Sequence, residues 1–167
     1  MEESAVKPTV MAVDDSPEIL MIMKSILENN YSLKLFGNSI EALDYALANP
    51  PDLILLDIMM PDMDGYQFCR LIKANPKLVD IPVIFITAKN EAEYVGYGFS
   101  VGASDYLQKP INAPLLISRV NTHLKLKLAT EYIGNESARM QEGNNQTSPE
   151  SLKMIEILRD NPFIKDN

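Results

Sequence analysis

A chain of 167 residues, 46% of them hydrophobic and 23% charged, has room for one globular domain with or without a tail. Its formal net charge of -8 argues against a surface that grips nucleic acid through phosphates. The single cysteine, Cys69, excludes an internal disulfide, no run is apolar enough to cross a membrane, and the polar start Met1-Glu2-Glu3-Ser4 is unlike a signal peptide, so a cytoplasmic setting is expected.

Residues 1–8 read as a loose leader. Thr9-Val10-Met11-Ala12-Val13 is a short apolar strand that runs into Asp14-Asp15-Ser16-Pro17, where Ser16 suits a helix N-cap and Pro17 the first helical position. Ile19, Ile22, Met23, Ile26 and Leu27 recur at helical spacing through Asn29. A second strand is expected from Tyr31 to Phe36. Asn38 and Glu41 form a capping-box pattern for the next helix, whose inner stripe is Ala42, Leu43, Ala46 and Leu47. Asn49-Pro50-Pro51 stops it.

Leu53 to Leu56 is apolar at every position, the signature of a strand buried on both faces in a parallel sheet. Asp57 follows at once, and the turn-forming Pro61-Asp62-Met63-Asp64-Gly65 comes next. A third helix is expected from Gly65 to Lys73, with Cys69 a buried thiol inside it, and a fourth strand from Ile81 to Ile86, which runs into Thr87. The fourth helix, from about Glu91 to Val101, is intrinsically weak because Gly96 and Gly98 each cost roughly 1 kcal/mol against Ala. Asp105-Tyr106-Leu107-Gln108 makes a last strand before Lys109-Pro110. Asn112 caps a fifth helix that reaches Tyr132, with Leu116, Val120, Leu124 and Leu128 as its seam. Five strands alternating with helices call for an α/β fold, a doubly wound parallel sheet with right-handed crossovers. The expected organisation is a domain over 9–132, a polar linker over 133–150, and over 151–167 a short C-terminal helix or the stump of a following region.

If the strands are parallel, their polar ends share one edge of the sheet: Asp14 and Asp15, Asp57, Thr87 and Lys109. Three carboxylates so close stay ionised only with a compensating cation. A hard divalent ion such as Mg²⁺ meets that need, and a carboxylate beside it can act as a nucleophile towards phosphorus. Taken one at a time the residues have milder readings. Asp57 fits a cap, Asp15 a turn support, Thr87 a strand-end filler and Lys109 a surface lysine.

Val13-Asp14-Asp15-Ser16, the run from Asp52 to Gly65, Thr87-Ala88 and Gly102-Ala103-Ser104-Asp105-Tyr106-Leu107-Gln108-Lys109-Pro110 together resemble the receiver domain of bacterial two-component response regulators, over roughly Pro8 to Leu128. The resemblance implies a flavodoxin-like five-stranded sheet of order 2-1-3-4-5. It implies Asp57 as the phosphoacceptor, charged by a histidine kinase or phosphotransfer protein, and Mg²⁺ held by Asp14, Asp15, Asp57 and the carbonyl of Met59. It further implies Thr87 and Lys109 as phosphate-binding groups, Thr87 and Tyr106 as the switch pair, and a cis bond before Pro110. Phosphorylation would be self-catalysed and its reversal slow, so the chain would not be a conventional enzyme. Tyr94, where members often carry an acid, and Ile111, in place of a frequent Phe, depart from the commonest pattern near the output face.

The expected output is a changed surface of the fourth helix, fifth strand and fifth helix, presented to a downstream protein, an attached effector domain or a second copy. Two other classes compete. A degenerate receiver would serve as a phosphorylation-independent binding module. An aspartate-nucleophile phosphohydrolase would need a second acid two residues past the nucleophile, where Met59 stands. His123 reads as a helix-surface residue and not as a phosphorelay histidine.

Overall fold

A computed structural model describes residues 6–88 and 92–141. The strands are β1 (Thr9–Val13), β2 (Ser32–Phe36), β3 (Leu53–Leu56), β4 (Val83–Thr87) and β5 (Asp105–Gln108). They alternate with α1 (Pro17–Leu27), α2 (Ser39–Ala48), α3 (Gly65–Ala74), α4 (Ala92–Ser100) and α5 (Ala113–Gln141). The strands form one sheet of order β2-β1-β3-β4-β5 with every pairing parallel, as the alternation and the resemblance imply.

The caps are local chemistry. Ser16 Oγ accepts from the N–H of Ile19, Asn38 Oδ1 from Ile40 and Glu41, Asp64 Oδ1 from Gln67 and Asn112 Oδ1 from Leu115. Side chains alternate across each strand. One set, Met11, Val13, Ile54, Leu56, Val83 and Phe85, packs in a core with Ala42 and Ala46 of α2 and Phe68, Cys69 and Ile72 of α3. The alternate set is equally buried, and Ile86 lines a small cavity with Leu107 and with Leu116 of α5.

Some positions differ from the sequence expectation. Ile22 and Leu47 are exposed, because each lies at the margin of its helix's apolar stripe, and Tyr45 packs against Phe36 with ring centroids 5.2 Å apart. Leu128 is half exposed and Ala129 is buried instead. A spacing of four advances about 40° per step around a helix of 3.6 residues per turn, so the fourth member of such a seam has drifted off the face. α5 does not stop at Tyr132 but continues through 133–141, into the stretch expected to be linker. The composition there is polar yet helix-compatible, with an ion pair between Glu136 and Arg139 at 3.8 Å that follows one between Lys127 and Glu131 a turn earlier. The short helix expected after Ser151 and most of the expected leader lie outside the described residues. The chain divides into one compact unit ending at His123 and another beginning at Leu124.

Gly65 fixes how α3 leaves the β3 end. A Cβ there would collide with the carbonyl oxygen of Asp57 and stand 2.8 Å from Ile58 Cα. Both are backbone, so neither can move aside cheaply. Gly65→Ala is therefore expected to cost about 3 kcal/mol, at the upper end of overpacking penalties. Thermal unfolding checks this. An unchanged melting temperature would mean that the turn is looser than described.

Candidate functional site

Backbone hydrogen bonds continue the ladder just past the strands and so fix the site residues. The N–H of Asp14 donates to Phe36 O at 3.0 Å, that of Asp57 to Val13 O at 2.9 Å and that of Lys109 to Thr87 O at 2.9 Å. Asp14, Asp57 and Lys109 each follow the last residue of a strand, and Thr87 ends β4. All five residues singled out from the sequence thus stand at the carboxyl edge of the sheet.

Carboxylate oxygens of Asp14, Asp15 and Asp57 lie within 4.8 Å of one another. Asp14 is 1% exposed and Asp57 5%, whereas Asp15 faces solvent. Lys109 Nζ donates to Asp14 Oδ2 at 2.8 Å and stands 3.6 Å from Asp57 Oδ2. The ammonium therefore favours Asp14, whose other oxygen accepts from the N–H of Ser16 at 2.9 Å. Thr87 is fully buried. Met59 is 56% exposed on the loop after Asp57, and the Lys109–Pro110 bond is cis.

Burial pushes the Asp57 carboxyl above the ordinary carboxylate range, and the Asp14 charge adds to that. Lys109 and hydrogen bonds from the backbone of Met59 and Ile58 work the other way without cancelling it. Among the described residues three carboxylates face one lysine, which leaves negative charge uncompensated. All the donors are hard oxygens, which suits a divalent cation of the Mg²⁺ or Ca²⁺ type. The site has acid groups enough to hold a metal ion, and a partly desolvated carboxylate that can act as a nucleophile.

Tyr106 is half buried, and its hydroxyl is buried without a hydrogen-bond partner among the described residues. Burial, then Tyr66 and Asp57, push this phenol up to about 12, so it stays neutral. His123, expected as a helix-surface residue, is partly buried and paired. Its Nε2 lies 2.9 Å from Asp105 Oδ2, and Arg119 reaches the same oxygen at 3.3 Å. Burial pushes Asp105 up, but the hydrogen bonds from His123 and from the Tyr106 N–H, with the Arg119 charge, outweigh it and hold Asp105 below its usual range. Nothing in the spacing of the two residues along the chain signals this pair. Cys69 is buried as expected, and burial raises its thiol to about 11, which makes it a poor nucleophile.

The sequence model of the response regulator receiver domain matches residues 10–121. A probable cyclic di-GMP phosphodiesterase of Vibrio cholerae is 43% identical over 129 residues, 77% of this chain and 29% of that protein. The transcriptional regulatory protein SpaR of Bacillus subtilis is 39% identical over 70% of this chain and 51% of its own length. The chain thus spans only part of these curated relatives. Among solved structures, the BeF3 activated DrrB receiver domain is 32% identical with a TM-score of 0.66, covering 72% of this chain and 99% of that one. Chemotaxis response regulator CheY4 of Vibrio cholerae is 28% identical with a TM-score of 0.67, covering 71% and 99%. No described helix is long and apolar enough to cross a membrane.

Burial and like-charge crowding at Asp57 have a measurable cost. A carboxyl raised by folding stabilises the fold when protonated, and that contribution is lost as pH rises through its folded value. Asp57→Asn removes the charge, so in metal-free buffer at neutral pH the variant should melt a few degrees above the parent chain. The two should converge as pH falls below the ordinary Asp value of about 4. A variant that is less stable at neutral pH would show that Lys109 more than compensates Asp57.

Proposed function

Because the chain belongs to the response regulator receiver domain family of two-component systems, we propose that Asp57 accepts a phosphoryl group from a histidine kinase or phosphotransfer protein and that the bound phosphoryl resets an output surface. One observation carries the reading: three carboxylates and a lysine meet at the sheet edge, with the carboxylate oxygens within 4.8 Å and Lys109 within 3.6 Å of Asp57.

Asp14, Asp15 and Asp57, with the carbonyl of Met59, are the groups to hold Mg²⁺. The ion neutralises negative charge and orients the phosphoryl oxygens when bound. An oxygen of Asp57 forms the new bond to phosphorus as the bond from phosphorus to the donor's imidazole nitrogen breaks, and that electron pair stays on the imidazole. The two N–H groups that follow Asp57 restrain its carboxylate, and burial strips it of water. Lys109 moves from Asp14 towards the new phosphoryl oxygens, and the Thr87 hydroxyl donates to another. No acid stands at Met59 to activate water, which favours a lasting phospho-aspartate over a phosphohydrolase cycle.

The added group brings about -1.5 to -2 charges. Thr87 is drawn towards it, and Tyr106, whose buried hydroxyl has no hydrogen-bond partner among the described residues, follows. The surface of α4, β5 and the start of α5 then favours a second arrangement. A nearly complete switch needs about 5.5 kcal/mol of preference. The partner is a downstream protein, an output domain of the kind that the longer relatives have room for, or a second copy. The domain is taken as 9–132, acting in the cytoplasm.

Incubation with acetyl phosphate and Mg²⁺, read by intact mass, tests the proposal. One stable phosphoryl should appear and should be absent from Asp57→Ala, from chelated samples and largely from Lys109→Ala. A modification that survives in Asp57→Ala defeats the assignment. Continuous phosphate release without an adduct points to the hydrolase, and no reaction to a phosphorylation-independent binding module.

A further inference from the structure

α4 cannot hold itself in place. Its described residues number nine, and Gly96 and Gly98 each cost roughly 1 kcal/mol against Ala. A helix so short is marginal in water. Its position must come from what it touches on α3, β4 and β5.

Tyr66, the second residue of α3, meets α4 twice. Its ring stands edge-on to Tyr97 with centroids 4.7 Å apart and planes at 82°, and its hydroxyl donates to the carbonyl of Tyr94 at 3.1 Å. Arg70, one turn further along α3, lies 5.3 Å over the same Tyr97 ring. Tyr66 also packs edge-on against Phe85 of β4, with centroids 5.5 Å apart. Gly98 completes the fit, since a Cβ there would stand 3.2 Å from Phe85. Phe85 lies two residues before Thr87, and α4 begins five residues after Thr87. Tyr66 itself follows Gly65, which is wedged against the Asp57 carbonyl. One aromatic residue thus joins the backbone behind Asp57, the strand that carries Thr87 and the helix after it.

We propose that Tyr66 and Arg70 clamp Tyr97 and so hold α4 in the resting arrangement, in which Lys109 is on Asp14, and that the clamp's strength sets how readily the phosphoryl site can be filled. The inference rests on the phosphoacceptor reading above. Both are positioning residues: neither touches the carboxylates. Any displacement of Thr87 towards a phosphoryl group bears on α4 through Phe85, Tyr66 and Gly98, and the clamp resists it. A contact made in the resting state alone lowers the apparent affinity for whatever selects the other state.

The test is a calorimetric titration of the full chain with beryllium fluoride, a phosphoryl mimic, in saturating Mg²⁺, alongside a titration with Mg²⁺ alone. Arg70 is exposed, and Tyr66→Phe keeps the ring, so Arg70→Ala and Tyr66→Phe should fold. Each should bind beryllium fluoride roughly two- to fivefold more tightly, in line with the loss of one cation–π contact or one hydrogen bond. Affinity for Mg²⁺ alone should not change, and Arg70→Lys should return most of the way to the parent value. Unchanged or weakened beryllium fluoride binding in folded variants overturns the clamp. Absence of binding in the parent chain removes the phosphoacceptor reading and the clamp with it.

Discussion

Crowded negative charge at one edge of the sheet is the constraint on which this molecule turns. Asp14, Asp15 and Asp57 bring their carboxylates within 4.8 Å of one another, two of the three are buried, and among the described residues Lys109 is the cation that reaches them. Burial and repulsion hold Asp57 away from its ordinary range, and the lysine offsets this only in part. Such an arrangement lowers stability in order to bind something positively charged or to react. The neighbouring packing, from the wedge at Gly65 to the caps at Ser16 and Asp64, keeps those groups from relaxing apart.

A parallel sheet makes this convergence almost unavoidable once each strand carries its polar residue at the same end. Every β-strand here points the same way, and the ladder bonds of Asp14, Asp57 and Lys109 extend the pairing by one residue into the site. The same geometry links the site to its surroundings. β4 carries Thr87 at its tip and Phe85 two residues earlier, and Phe85 sits under Tyr66 of α3 and Gly98 of α4. A short, glycine-bearing helix placed by side-chain contacts is well suited to have two positions. A long helix rich in Ala and Leu would not be.

What could be read in the chain follows from how local each signal is. The strands were legible because Leu53–Leu56 and residues 83–86 are apolar at every position and each run stops at a polar residue. That Asp14, Asp57, Thr87 and Lys109 share one edge was legible because each stands at the carboxyl end of a strand. Helix margins were less so: Ile22, Leu47 and Leu128 fit an apolar period, but their exposure depends on which neighbour covers the helix. The end of α5 differs because Gly134 and the polar residues after it look like linker, while in the helix Glu136 and Arg139 are spaced for an ion pair. The pairing of His123 with Asp105 and the stacking of Arg70 on Tyr97 are tertiary contacts between elements, and no spacing along the chain encodes them.

A magnesium titration followed by backbone amide NMR bears most directly on the convergence itself. One saturable site should shift the amides of Asp14, Asp15, Asp57 and Met59 first, and the effect should disappear when Asp57 is replaced by Asn. Shifts concentrated elsewhere, or none at millimolar magnesium, would mean that these carboxylates do not act together, and the chemistry assigned to Asp57 would have no basis.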